Sequence, residues 1–92
     1  MIKGSEDSTT TTVPANITMY PNPTNGEFHI EGVERGEIMQ IYDYAGRLIK
    51  TVVADNTSIL TDISNQPNGL YLIRIIGTDG TLISQKKLVK QW

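Results

Sequence analysis

The chemistry that this sequence could support centres on its one histidine, His29, which lies between Glu27 and Glu31. Side chains two residues apart in a strand share a face, so these three could form a metal-binding or pH-sensitive His/Glu/Glu patch. A solvated strand face explains the same spacing more simply, and we favour it. The pattern therefore predicts no metal site.

Other residues that support catalysis are scattered along the chain. Asp43 and Asp62 stand in or near turns without a partner base, where a carboxylate more commonly accepts backbone hydrogen bonds than transfers protons. No serine is accompanied by His and Asp in a pattern typical of a catalytic triad. The glycines fall in hairpin turns rather than in a phosphate-binding loop. We therefore predict that the protein is not an enzyme and needs no cofactor.

Composition excludes several classes of protein. The 92 residues include no cysteine, so disulfides and thiolate metal sites are absent. A net charge of −2 opposes nucleic-acid binding, which needs a basic surface. No apolar run reaches the ~18 residues of a membrane-spanning helix. Ile, Val and Thr account for 28 residues and Ala for only 3, which favours strands over helices.

Two features leave alternatives open. The tyrosines and Trp92 are either core residues or, if Tyr20, Tyr44 and Trp92 are exposed together, a surface for stacking sugars. Charge is also uneven, because residues 81–92 carry three lysines and no acid. This basic segment is either a short recognition patch or the solvated face of a last strand, where lysines discourage edge-to-edge pairing.

Turn residues divide most of the chain into short apolar segments. The polar, Ser/Thr-rich residues 1–16 are predicted to be a flexible linker, with 1–4 as a candidate cloning remnant, and residues 17–92 to be one domain. We predict seven strands, at residues 17–20, 28–31, 38–42, 48–53, 58–63, 70–76 and 81–89. An all-β, two-sheet antiparallel sandwich is the economical way to bury their apolar faces.

Three blocks carry most of the distinctive turn residues. Residues 20–28 read Tyr-Pro-Asn-Pro-Thr-Asn-Gly-Glu-Phe, and residues 41–48 read Ile-Tyr-Asp-Tyr-Ala-Gly-Arg-Leu. Residues 68–75 read Asn-Gly-Leu-Tyr-Leu-Ile-Arg-Ile and are followed at 87–90 by Lys-Leu-Val-Lys. In this order and spacing, residues 17–90 resemble the type A C-terminal sorting domain of type IX secretion cargo from Bacteroidetes. Gln91 and Trp92, after the last lysine, depart from the family pattern.

The resemblance implies that the domain is an address label with an Ig-like, seven-strand sandwich fold. Such a domain follows a passenger protein, passes through the periplasm, and directs export across the outer membrane to the cell surface or medium. An outer-membrane shuttle recognises it, and a sortase commonly removes it by cutting in the linker. The rival function is a generic fibronectin-like or carbohydrate-binding β-sandwich module.

The resemblance also assigns roles to particular residues. The first block builds a stiff turn that either only shapes the fold or contacts the receptor, through Pro21, Asn22, Pro23 and Gly26. Tyr42 and Gly46 are expected to fix the next hairpin, Gly69 to allow a tight turn into the central strand, and Tyr71 to pack inward. The last strand could pair with a receptor strand, or with a second copy to give a homodimer, through Lys86, Lys87, Leu88, Val89 and Lys90.

Overall fold

All regular elements of the computed structural model, which describes residues 16–91, are strands. They are numbered β1 to β7 and span Thr18–Tyr20, Glu27–Glu31, Ile38–Asp43, Leu48–Val53, Ser58–Asp62, Gly69–Ile76 and Leu82–Lys90. The prediction of seven strands is confirmed, and no boundary differs from the predicted one by more than one residue. The predicted linker, apart from Asn16, and Trp92 lie outside the described residues.

The strands form two antiparallel sheets, which confirms the predicted sandwich. One sheet has the order β1-β2-β5 and the other the order β4-β3-β6-β7. This strand order is that of an Ig-like sandwich. In the Ig nomenclature, β1, β2 and β5 are strands A, B and E, and β3, β4, β6 and β7 are strands C, C′, F and G. Within residues 16–91 there is no helix long and apolar enough to cross a membrane.

The inward faces of the two sheets share one apolar core. Because side chains alternate along a strand, β2 buries Phe28 and Ile30, and β3 buries Met39 and Ile41. The other strands and the connecting loops complete the core with Ile17, Val33, Ala54, Ile59, Ile63, Tyr71, Ile73, Ile75 and Leu88. Both sheets therefore depend on the same buried surface for their stability.

Candidate functional site

The first sequence block forms the loop between β1 and β2, residues 21–26, in which both prolyl peptide bonds are cis. Thr24 is its buried centre, with a side-chain hydroxyl that accepts the Gly26 N–H at 3.0 Å and donates to the Glu27 carbonyl at 2.6 Å. Gly26 has a φ of +145°, and a Cβ there would lie 2.4 Å from the Ser64 Oγ. A side chain at position 26 would therefore clash with the chain that follows β5.

This loop is fastened to the end of the last strand. The Asn22 side-chain amide accepts the Val89 N–H at 3.0 Å through Oδ1 and donates to the Lys87 carbonyl at 2.8 Å through Nδ2. The Thr24 backbone N–H donates to the Val89 carbonyl at 2.8 Å. The Thr24 carbonyl accepts the Gln91 N–H, also at 2.8 Å. Asn22 and Thr24, which we call the clasp, thus replace a neighbouring strand along the C-terminal half of β7.

The clasp joins two motifs that are 65 residues apart in sequence. From the sequence, the Pro-Asn-Pro turn and the terminal strand were alternative recognition elements; in the fold they are parts of one surface. The clasp covers only part of this edge of β7. In an antiparallel strand, the backbone N–H and C=O groups of every second residue point to the same edge. Those of Gln85 and Lys87 therefore point to the same edge as those of Val89, away from β6. There the clasp bonds the Lys87 carbonyl and leaves the Lys87 N–H and both backbone groups of Gln85 uncovered. Of the strands in residues 16–91, none lies on that edge.

The alternation of β7 separates its three lysines. Lys87 is exposed, whereas Lys86 is half-buried and Lys90 is only 1% exposed, on the same side of the strand as the core residue Leu88. The Lys90 Nζ donates to the Asn68 Oδ1 at 3.2 Å. Both interpretations of the basic segment assumed solvated lysines, and for Lys90 that assumption is wrong because its side chain lies on the inward face.

In the second sequence block, Asp43 rather than Tyr42 holds the β3–β4 hairpin together. The Asp43 carboxylate accepts the backbone N–H and the Nε–H of Arg47, both at 2.9 Å, and its carbonyl accepts the Gly46 N–H at 2.9 Å. The Arg47 hydrogen bonds, the backbone one above all, lower the pKa of Asp43 from its ordinary value. Gly46 has a φ of +89°, which suits glycine as expected. Tyr42 lies instead on the outer face, where its hydroxyl donates to Gln40.

Asp62 has the turn role that its position predicts. Its carboxylate accepts the backbone N–H of Ser64 at 2.7 Å and also the Ser64 hydroxyl. These hydrogen bonds, and more weakly the charges of Lys50 and Lys90, lower the pKa of Asp62 from its ordinary value. Asp43 and Asp62 therefore stabilise turns in the fold as charged acceptors.

The third sequence block contains a contact that sequence reasoning missed. Tyr71 is buried as expected, and its hydroxyl donates to the Pro67 carbonyl at 2.5 Å. Burial, and then the charge of Asp43, raises the pKa of Tyr71. A Tyr at the start of strand F that bonds a few residues upstream is the tyrosine corner of Ig-like domains. The available signal was a proline four residues before the tyrosine. Gly69 has a φ of +154° and open space around its Cβ position.

The histidine patch is a packed strand surface. The rings of His29 and Tyr20 stack with centroids 5.0 Å apart, and the Tyr20 hydroxyl donates to Glu31, which raises the pKa of Tyr20. Among residues 16–91, no three His, Asp or Glu side chains are placed to hold a metal ion. Tyr20 lies in the three-stranded sheet and Tyr44 in the β3–β4 hairpin of the other sheet, while Trp92 is outside the described residues.

Fold and site together define an Ig-like β-sandwich whose last strand is fastened to the β1–β2 loop. The family model of the secretion system C-terminal sorting domain matches residues 18–91, so the chain belongs to that family of type IX sorting domains. No curated protein and no solved structure matches the chain. The family is not an enzyme family.

Membership of the family gives the domain its general role. It is a sorting signal for a passenger protein on its N-terminal side, which the type IX machinery exports across the outer membrane to the cell surface or the medium. The resemblance stated from the three sequence blocks is thereby confirmed.

Proposed function

We propose that an outer-membrane shuttle recognises this sorting domain through the clasp and β7, after transit through the periplasm, and that a sortase then cuts within residues 1–16. The observation that supports this proposal is the joining of the clasp to the last strand, from Lys87 to Gln91. Two of the three family-like blocks thus meet in one place, although either alone could have served only the fold. Of the remaining motif residues, Tyr71 packs in the core beside β7, and Gly46 lies in the exposed β3–β4 hairpin.

The open part of the β7 edge is the segment where a receptor strand could be added. Added strands bind through backbone hydrogen bonds, and the outward groups of Gln85 and Lys87 supply donors and an acceptor. Beyond Lys87, the clasp already engages the outward groups of Val89 and Gln91. Strand addition therefore takes place on the N-terminal side of Val89. The same open segment is where a homodimer would pair.

A reporter fusion tests both the sorting role and the use of this edge. The reporter carries a periplasmic signal and residues 5–92, and its arrival at the surface of a type IX-competent host is measured by protease accessibility. We expect surface delivery, with removal of the domain by a cut in the linker that mass spectrometry locates. A wild-type reporter that stays in the periplasm would contradict the proposal.

Gln85→Pro is the sharpest variant for the edge. The N–H of Gln85 faces outward and makes no bond to β6, so proline there removes a donor for an added strand while leaving the sheet intact. Gln85→Thr is the matched control, because it changes the side chain and keeps the N–H. We expect loss of surface delivery for the first variant only, with unchanged melting of both. Equal delivery of the two folded variants would show that strand addition is not the mode of recognition.

A further inference from the structure

The outer face of the four-stranded sheet presents two mainly apolar rows and one polar row, and none of the row residues is an acid. The strand register places three rows of cross-strand neighbours on it: Val53, Ile38, Ile76 and Leu82; Thr51, Gln40, Arg74 and Gln85; and Leu48, Tyr42, Leu72 and Lys87. Leu70 and Val89 continue the apolar surface beyond the third row. Arg74 and Lys87 are the charged residues of these rows, and both are cations.

Nothing in residues 16–91 covers this face, because each sheet uses its other side for the core. Its rim is well exposed, with 61% of Val53, 51% of Leu48 and 49% of Leu82 accessible to solvent. The central positions are half-buried by one another. Two mainly apolar rows, one on each side of the polar row, thus leave exposed apolar surface of the kind that marks binding sites for other proteins.

Arg74 shows what charge a partner would carry. Its guanidinium lies 6.0 Å from the centre of the Tyr42 ring, and its Nε is buried without a hydrogen-bond partner. A buried donor without an acceptor is costly, and a carboxylate is the acceptor that best fits a guanidinium. Lys87 presents a second cation on the same face. A carboxylate that pairs with the Arg74 guanidinium would also lie near Lys87, whose strand neighbour on this face is Leu72.

A groove beside these cations supplies the apolar contacts. It runs between the tyrosines of the β3–β4 hairpin, Tyr42 and Tyr44, and the leucines of β6, Leu70 and Leu72. The one acid that lines it, Asp43, is held by Arg47 at 2.9 Å. Arg and Tyr within an apolar patch are also the residues that contribute most to protein–protein affinity.

We propose that the outer face of the four-stranded sheet docks a protein surface that is apolar and carries a carboxylate for Arg74 and Lys87. The identity of the partner rests on the proposed function, which makes it an outer-membrane component of the export machinery. The docking face adjoins the open edge of β7, since the Lys87 side chain lies on the face while its N–H lies on the edge. A single partner can therefore contact both.

Site-directed photo-cross-linking tests this docking face. The chain has no cysteine, so Val53→Cys and Leu60→Cys each give one attachment point for a benzophenone maleimide. Val53 is 61% exposed at the rim of the docking face, and Leu60 is 58% exposed on the other sheet, which makes it a matched control. Each labelled chain is illuminated with outer-membrane vesicles from the same type IX-competent host in which export of the wild-type reporter is measured.

We expect a protein adduct of one defined mass from Val53→Cys and none from Leu60→Cys. Adding Arg74→Gln and Lys87→Gln should lower its yield on the order of tenfold, because one or two charge-assisted contacts are lost. Glu27→Gln with Glu31→Gln should leave the yield unchanged. An adduct that forms although the reporter is not exported would support the docking face and contradict the proposed function.

Several results would overturn the docking face while the reporter is still exported. These are equal yields from the two positions, a yield insensitive to Arg74→Gln and Lys87→Gln, or no adduct at all. An adduct with lipopolysaccharide or lipid would identify a membrane surface instead, and a doubled chain mass would identify a second copy of the domain.

Discussion

The two outer faces of this sandwich differ in chemistry although both are built on the same alternation of side chains. The face of the three-stranded sheet carries Glu27, Glu31 and Asp62 beside the stacked rings of Tyr20 and His29. The face of the four-stranded sheet carries two mainly apolar rows, a polar row between them, and two cations. A sandwich needs only its inner faces to be apolar, so the fold does not require this difference. Water solvates the acidic face well, and the more apolar face is the one on which we propose that a partner docks.

The two sheets share one core and should fold as one unit, which core truncations test. Phe28→Ala in β2 should cost about 3–5 kcal/mol and Ile41→Ala in β3 about 2–5 kcal/mol. A domain of this size has roughly 4–11 kcal/mol of stability, so both variants should be largely unfolded at moderate denaturant concentrations. Urea denaturation followed by circular dichroism should show one transition for each. Two separate transitions would show that the faces belong to independent units.

A smaller effect is expected at the loop that carries the clasp. Gly26→Ala should destabilise the domain by about 2 kcal/mol, because its Cβ would approach the Ser64 Oγ and Cα at 2.4 and 3.0 Å. Gly46→Ala is the control, since its Cβ position is open and only the φ of +89° opposes alanine, at about 1 kcal/mol. Thermal melting of the two variants tests whether Gly26→Ala lowers the stability more than Gly46→Ala does. Equal losses of stability would show that the close contact with Ser64 does not add to the cost of a side chain at position 26.

Loss of the clasp should expose the edge that adjoins the apolar face. Asn22→Ala removes two exposed hydrogen bonds to β7 and should cost about 1 kcal/mol. It also frees the Val89 N–H and the Lys87 carbonyl for pairing with another chain. Sedimentation at several concentrations should detect more self-association than in Asn25→Ala, a change at an exposed position of the same loop. A monomer at all concentrations would contradict a role of Asn22 in protecting the edge.

The smallest expected effect concerns the acidic face. The hydrogen bond to Glu31 raises the pKa of Tyr20, so the folded state holds this proton more tightly than the unfolded state does. The resulting stability is fully present below the pKa of about 10 that Tyr20 has in the unfolded chain. It is lost as the pH rises through the higher pKa that Tyr20 has in the folded domain. Glu31→Gln should lower the pKa of Tyr20 and leave that of Tyr71 raised. Alkaline ultraviolet titration would contradict this if Tyr20 titrated as before.

The strands could be predicted from the sequence because their signals are local. Each strand is a short segment with apolar residues, in β2 alternating with polar ones, and Gly, Pro, Asn and Asp mark the turns between strands. The inward position of Phe28 follows from the alternation in β2, whereas that of Tyr71, in a strand with apolar residues on both faces, follows only from the family resemblance. The clasp could not be predicted, because it joins Asn22 to residues 65 and 67 positions away. The burial of Lys90 and the outward position of Arg74 depend on strand register, which residue type does not reveal.

We propose that the receptor contacts the outer face of the four-stranded sheet together with the adjoining edge of β7. The most direct measurement compares the surface delivery of two charge-neutralised reporters in one type IX-competent host. One carries Arg74→Gln with Lys87→Gln, and the other carries Glu27→Gln with Glu31→Gln. With both domains shown to be folded, we predict that delivery of the first falls on the order of tenfold and that delivery of the second stays near that of the wild type. Delivery of both at the wild-type rate would contradict the claim.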